Sequence, residues 1–245
     1  MTHPPISLKP YGRHAILIEW PNEVSETILE SILDFEDFLL KDCLKEKDWE
    51  TISAYNSLLL IHPKLEIDYP KFSKNIKDWY ERSKGTVARE KVLWKLPVSY
   101  DKSFGIDLDD VAKSLNKTVE EVIQLHTENT YTVYGIGFVP GFMYLGGVPS
   151  QLEIPRKATP RLKVKKGSVG IAGKQTGIYP QESPGGWNII GNCPVPLFDR
   201  NKKDPCFVNV GDKIQFQPVS MGEFELHKIE AEVGIYKPEK VLLDA

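Results

Sequence analysis

Twelve of the eighteen glycines fall between positions 135 and 191, at 135, 137, 141, 146, 147, 167, 170, 173, 177, 185, 186 and 191. Glycine is wanted where φ must be positive or where a ligand approaches the main chain closely. Interleaved with these glycines are Phe138, Phe142, Tyr144, Tyr179 and Trp187, together with Arg156, Arg161 and Lys174. Aromatic walls, exposed backbone amides and a few cations are what a pocket for a small polar anion or a nucleotide requires. A tight β-barrel whose corners need glycine, with the aromatics as its core, accounts for the same composition. Composition leaves both accounts open.

Generic catalytic motifs do not decide between them. Gly135-Ile-Gly137 begins like a dinucleotide fingerprint, but Pro140 stands where the third glycine belongs. Gly173-Lys174 matches the end of a phosphate loop, yet Ser168 replaces its first glycine and Gln175 its Ser/Thr. The weaker physical idea survives, since glycine-lined amides near a lysine can cradle an anion. Neither Ser168 nor Ser183 sits in a Gly-x-Ser-x-Gly elbow. His3, His14, His62, His126 and His227 are isolated, so no metal site is expected. Residues 107–129 have the outline of a helix-turn-helix, but Thr118 to His126 carries two acids and no basic residue before the histidine. That argues against DNA reading.

The elements that must position these residues are legible in part. A chain of 245 residues holds one to two domains and a sizeable core. His14 to Trp20 reads as a buried strand, and Ser25-Glu26 opens a helix to about Leu40, with Ile28, Ile32, Phe35 and Leu39 on one face. Trp49 to Ala54 and Ser57 to His62 form a hairpin around Tyr55-Asn56. Phe72, Ile76, Trp79 and Tyr80 mark a second helix before Gly85. This β-α-β-β-α order predicts a ferredoxin-like α/β domain over residues 1–84, with a linker at Arg82 to Thr86. Beyond it, residues 85–245 read as strand Lys91 to Val98, helices Leu108 to Leu115 and Thr118 to about Asn129, then strands among Gly/Pro turns as far as Lys213 to Pro218. Thr118 and Glu121 have capping-box spacing. The second domain is therefore mainly β, a compact barrel, and the fold class is α+β.

Charge and composition exclude several functions. Basic residues number 31 and acidic residues 34, a net charge of −3 that draws the chain to neither nucleic acid nor anionic lipid. An apolar content of 41% excludes wholesale disorder. Cys43, Cys193 and Cys206 form no CxxC pair and suit a reducing compartment. Met1 to Ile6 lacks a signal-peptide pattern, and the longest apolar run, Leu58 to Ile61, is far short of the ~20 residues that span a bilayer. A cytoplasmic protein with no membrane partner is expected.

The wording of the glycine-rich segment is more specific than its composition. His126-Thr, Tyr131-Thr-Val-Tyr-x-Ile-Gly137-Phe-Val-Pro140-Gly-Phe-Met-Tyr144-Leu-Gly-Gly147 continues into Pro155-Arg156-Lys-Ala-Thr-Pro160-Arg161. Then follow Gly167-Ser-Val-Gly-Ile-Ala-Gly173-Lys-Gln175-Thr-Gly-Ile-Tyr179-Pro and Ser183-Pro-Gly-Gly-Trp187-Asn-Ile-Ile-Gly191. These blocks resemble the family of the 5-oxoprolinase B subunit, the sporulation-kinase-A inhibitor and allophanate hydrolase subunit 1, with related sequence in a carboxyltransferase domain of urea carboxylase. The resemblance covers nearly the whole chain and is most specific from His126 to Phe198. It implies a cyclophilin-like barrel after the small α/β domain. It also implies a part in ATP-dependent opening of 5-oxoproline (pyroglutamate) to glutamate, together with a larger, homologous C subunit and an A subunit. ATP is then a co-substrate, with magnesium, and this chain holds no other metal or organic cofactor. The kinase-inhibitor relative implies the alternative, a regulatory protein that binds a sensor histidine kinase.

Within that resemblance, His126, Arg156 and Gln175 are the candidate catalytic side chains. Gly137, Pro140, Gly141, Tyr144, Arg161, Gly173, Lys174, Tyr179 and Trp187 are the candidate substrate- or nucleotide-binding ones. Arg156 and Arg161 suit bidentate binding of a carboxylate or phosphate, which Lys174 serves only as a point charge. Gln175 and the amides around Gly137 to Gly141 and Gly173 suit a polarised carbonyl or an oxyanion. His126 is the titratable group of the block suited to proton transfer near neutral pH, although at a helix end it also suits a cap on the last carbonyls.

Overall fold

Strand β2 (Ala15–Glu19) buries Ile16 and Ile18, and β4 (Ser57–Ile61) answers with Leu58 and Leu60 on the same face of one sheet. The computed structural model describes residues 4–44, 48–83 and 91–243, which fall into two compact units divided between Glu90 and Lys91. Arg82 ends a helix, and the rest of the expected linker, from Lys84, lies outside the described residues.

In the first unit, β1 (Ser7–Pro10), β2, β3 (Glu50–Ala54) and β4 form an antiparallel sheet in the order β1-β2-β4-β3. Helix α1 (Glu26–Phe38) packs Ile28, Ile32 and Phe35 against it, and α2 (Tyr69–Arg82) adds Ile76 and Tyr80. Each such side chain, fully buried, contributes about 1.5–3 kcal/mol. The order is thus β-β-α-β-β-α. Strand β1 was not expected, because Ser-Leu-Lys-Pro has no alternating pattern and gains its partners only by pairing with β2.

The second unit carries an eight-stranded sheet. Its strands are β5 (Lys91–Val98), β6 (Thr130–Ile136), β7 (Met143–Gly146), β9 (Ser168–Ala172), β10 (Gln175–Ile178), β12 (Asn188–Asn192), β13 (Lys213–Pro218) and β14 (Glu239–Leu243), in the order β12-β9-β10-β7-β6-β13-β5-β14. Just beyond β5, Ser99 exchanges two backbone hydrogen bonds of 2.9 Å with Asn192 of β12, so the sheet curls and closes on itself. Val133, Met143, Leu145, Val169, Ile171, Ile178, Ile214 and Phe216 fill its interior. Helices α3 (Leu108–Ser114) and α4 (Val119–Glu128) stand where expected, and α4 starts at the Thr118–Glu121 capping box. A two-stranded sheet, β8 (Arg161–Val164) with β11 (Ser183–Gly185), lies apart from the large one.

Helix α5 (Met221–Glu232) and β14 add to the expected elements. Ser220 and Glu223 form a capping box, a signal present in the sequence. Periodicity missed the helix because its apolar residues lie on two faces: Phe224 points inward, while Leu226 and Ile229 are exposed. Among the described residues no helix is long and apolar enough to cross a membrane.

Candidate functional site

Alternation along β7, β9 and β10 turns one set of side chains outward from the closed sheet. There Phe142, Tyr144, Val164, Ala172, Tyr179, Trp187 and Ile189 form a second, smaller core. Phe142 sits at its centre, edge-on to Tyr144, Tyr179 and Trp187 at centroid distances of 4.9, 5.3 and 5.4 Å. Several nearby glycines stand where a side chain would collide with an aromatic residue or with the main chain. A Cβ on Gly170 or Gly177 would stand 3.1 or 3.2 Å from Trp187, and one on Gly146 would stand 2.6 Å from the Tyr134 ring. Gly185 leaves room for the Tyr179 hydroxyl. The expected glycine-lined pocket is therefore corrected at these positions to glycine-on-aromatic packing. Gly137 and Gly173 differ, since each faces open space.

One predicted cation, Arg161, and one that was not predicted, Lys157, converge on Asp107. Arg161, the first residue of β8, donates from Nη2 to Asp107 Oδ1 at 2.6 Å, and Lys157 Nζ reaches the same oxygen at 2.8 Å. The Ile189 amide donates to Asp107 Oδ2 at 2.7 Å. Asp107 precedes α3 but does not cap it, because its carboxylate is turned to these three donors. Burial alone would raise the Asp107 pKa; the hydrogen bonds from Arg161, Lys157 and Ile189 outweigh it and hold the carboxyl below its ordinary value. Arg161 Nη1 is buried and, with Ser183 Oγ on the paired strand β11, is one of two buried side-chain polar atoms without a partner among the described residues. Buried donors of this kind are rare and favour a site for an acceptor such as a carboxylate or phosphate oxygen.

Arg156 is exposed, and its backbone neighbours are pinned. Gly173 N–H donates to the Ile154 carbonyl at 2.6 Å, Asn188 Nδ2 to Pro155 at 2.9 Å, and Lys157 N–H to Gly186 at 2.8 Å. The turn bearing Gly173 and exposed Lys174 therefore lies beside the segment bearing Arg156. Burial raises the Tyr179 pKa, while the Trp187 amide and the charges of Arg156 and Arg161 restrain the rise. Gln175, in β10, shares the outward face with Gly177 by alternation. Gly141, at φ +82°, lies against Leu197 and Phe198 in the β6–β7 loop, and Pro140 beside it is exposed. In the same loop Phe138 is 65% exposed at φ 70°, a conformation that costs a non-glycine residue about 1–2 kcal/mol.

His126 is corrected. Its side chain is fully buried in the main core, stacked on Phe216 at 4.5 Å. Thr176 Oγ1 donates to the Gly170 carbonyl, so it accepts from His126 Nε2 at 2.9 Å, and Nδ1 accepts from the Tyr100 hydroxyl at 2.7 Å. Burial lowers its pKa to about 3, so the ring is neutral and remote from water. It neither transfers protons near neutral pH nor caps α4; Tyr131 Oη donates to its carbonyl instead.

Asp107, Lys157 and Ser183 were not among the expected site residues. The adjacent pair Arg156-Lys157 was a usable signal. Asp107 was not, since it lies 54 residues from Arg161 among other acids. Among the described residues no group of three or more His, Cys, Asp or Glu side chains is placed to hold a metal ion.

The family model described as carboxyltransferase domain, subdomain C and D, matches residues 6–208. A protein of Bacillus subtilis named as the B subunit of 5-oxoprolinase is 33% identical over 231 residues, covering 90% of this chain and 95% of its own. One of the same name from Haemophilus influenzae is 53% identical over 122 residues, half of this chain, and the chain spans 57% of that relative's length. The crystal structure of Kluyveromyces lactis urea carboxylase superposes with a TM-score of 0.79 over 98% of this chain and 24% of that one; at 18% identity it speaks for the fold alone. With the family model and a full-length relative agreeing, the chain belongs to the carboxyltransferase-domain family of subdomains C and D.

Proposed function

We propose that the chain is the B subunit of an ATP-dependent 5-oxoprolinase, opening 5-oxoproline to glutamate together with the A and C subunits. The observation that carries this is the match to the Bacillus subtilis 5-oxoprolinase B subunit along nine-tenths of the chain. The buried, unpartnered Arg161 Nη1, oriented by Asp107, supports a role in holding a carboxylate or phosphate. Arg156 and the Lys174 turn extend the cationic face; the Gly137 and Gly173 amides are committed to the Phe142 and Ile154 carbonyls, so these glycines offer open space for close approach of a ligand rather than donors. A lactam is a stable amide, so phosphorylation of its oxygen by ATP with magnesium would make the carbonyl carbon reactive. With His126 withdrawn, this chain supplies binding and charge, and proton transfer falls to groups completed by a partner protein. In this reading the first unit is a ferredoxin-like layer with β1 in the edge position, and the second is a cyclophilin-like barrel. Cytoplasmic location fits Cys43, Cys193 and Cys206, none of which is in a disulfide among the described residues.

Reconstitution with the A and C subunits tests the proposal, with glutamate and ADP measured in the presence and absence of this chain. An unchanged rate on omission sinks it. The second reading, a protein that binds a sensor histidine kinase, draws on α5, which exposes Leu226, Ile229 and, just past its end, Val233, at 54, 55 and 63%. Such a stripe suits a protein partner of either kind. Arg156→Ala with Arg161→Ala separates the two, abolishing hydrolysis in the first and sparing kinase binding in the second.

A further inference from the structure

Between α5 and the turn joining β8 to β9 lies a cavity of about 370 Å³ that shares no residue with the Asp107–Arg161 cluster. Small-molecule sites have volumes of roughly 300–1,000 Å³. Lys165 and Lys166 stand on that turn, both exposed, and neither ammonium has an acid partner among the described residues. The turn itself is fixed. Gly167 N–H donates to the Tyr179 carbonyl at 2.7 Å, Cys193 N–H to the Gly167 carbonyl at 2.8 Å, and Asn192 Nδ2 to the Lys166 carbonyl at 3.0 Å. Gly167, at φ +81°, is pressed so closely on Cys193 and Asn192 that no side chain fits there. Two exposed ammoniums thus extend from a fixed base.

The opposite wall is aromatic. Phe224 of α5 is buried against half-buried Phe104, with ring centroids 4.5 Å apart and planes at 41°. Lys228 also lines the cavity, held at 3.5 Å by Glu225, and Glu232 is the second carboxylate. Three cations against two carboxylates leave the lining net positive. The Cys193 thiol is also in the lining; burial pushes its pKa up to about 12, so it adds no negative charge.

We propose that this cavity binds a nucleotide-class ligand, with its phosphates on Lys165 and Lys166 and its base against Phe104. A carboxylate is matched best by a guanidinium fork, whereas phosphate oxygens accept equally from separate ammonium point charges. A flat base gains stacking on an aromatic wall whatever its identity. The choice of ATP as first probe rests on the ATP-dependent reading above; the site itself rests on the cavity.

Calorimetric titration of the full chain with ATP, AMP, adenosine and inorganic phosphate tests it. ATP and AMP are expected to bind, with adenosine and inorganic phosphate each at least 10-fold weaker than AMP. Lys165→Glu with Lys166→Glu, both on the surface, should weaken ATP at least 30-fold, and Phe104→Ala should weaken AMP more than inorganic phosphate. Absence of nucleotide binding, or unchanged ATP affinity in the lysine variant, overturns the proposal. Inorganic phosphate binding as tightly as AMP overturns the role of the aromatic wall. If the reconstituted enzyme consumes ATP and the lysine variant keeps its KM for ATP, the cavity is wrong while the enzymatic reading stands. If nucleotides bind here but no ATP-dependent ring opening occurs, the cavity stands and the enzymatic reading falls.

Discussion

Acidification from pH 7.5 to 5.0 should destabilise the C-terminal unit through His126. The ring is fully buried, neutral, and satisfied at both nitrogens by Tyr100 and Thr176. Its folded pKa is lowered to about 3 from an ordinary 6.5, by burial. The sign follows from linkage: between these two values the unfolded chain binds a proton that the folded one does not. The stabilisation is therefore complete above about pH 6.5 and is lost as pH falls toward 3. Each unit below 6.5 costs about 1.4 kcal/mol, so the loss at pH 5.0 is about 2 kcal/mol. His126→Gln keeps a donor and an acceptor but loses the stack on Phe216, and should cost about 1–3 kcal/mol at pH 7.5. Because glutamine does not titrate, the gap between wild type and variant should close by about 2 kcal/mol at pH 5.0. Urea unfolding, followed by hydrogen exchange of C-terminal-unit amides, measures that gap without the N-terminal unit's own transition. A gap of the same size at both pH values, or a His126 NMR signal titrating near 6.5, would refute the reasoning and return His126 to the candidates for proton transfer.

Asp107→Asn should destabilise the second unit by about 3 kcal/mol in thermal or urea unfolding, because it strands Arg161 and Lys157 beside a buried amide. The Asp107 pKa is lowered from 3.8, so this contribution is full above that value and is lost only as pH falls through the depressed one; the difference between wild type and variant should hold constant from pH 7 to 5. Gly177→Ala places a Cβ 2.7 Å from the Met143 carbonyl and should cost about 1–3 kcal/mol, whereas Gly137→Ala, in open space, should leave Tm within about 2 °C. If Gly137 borders substrate, the same Gly137→Ala protein should lose activity in the reconstituted enzyme. Leu226→Glu with Ile229→Glu should change folding stability by less than about 0.5 kcal/mol per site yet abolish co-elution with the partner proteins on gel filtration.

The amino-acid sequence alone determined the elements whose signals are local. The apolar faces of α1 and α2, the Thr118–Glu121 capping box and the hairpin of β3 and β4 are specified by residues three or four apart, or by a two-residue turn. It also determined that glycines, aromatics and arginines share one segment. Tertiary structure decided what that segment does. Which glycines of the segment are closed off depends on Trp187 and Tyr179 folding back over β9, β10 and β11, whereas Gly137 and Gly173 face open space. His126 reads as a titratable group at a helix end, but Thr176, 50 residues away, and Tyr100, 26 away, close around it in the core. Arg161 reads as a candidate anion-binding fork, yet Asp107, 54 residues earlier, fixes one side of its guanidinium and leaves Nη1 buried. Helical periodicity and caps are set within a few residues. Burial, ion pairing and pKa depend on which distant segments the closed sheet brings together, and no local pattern encodes that.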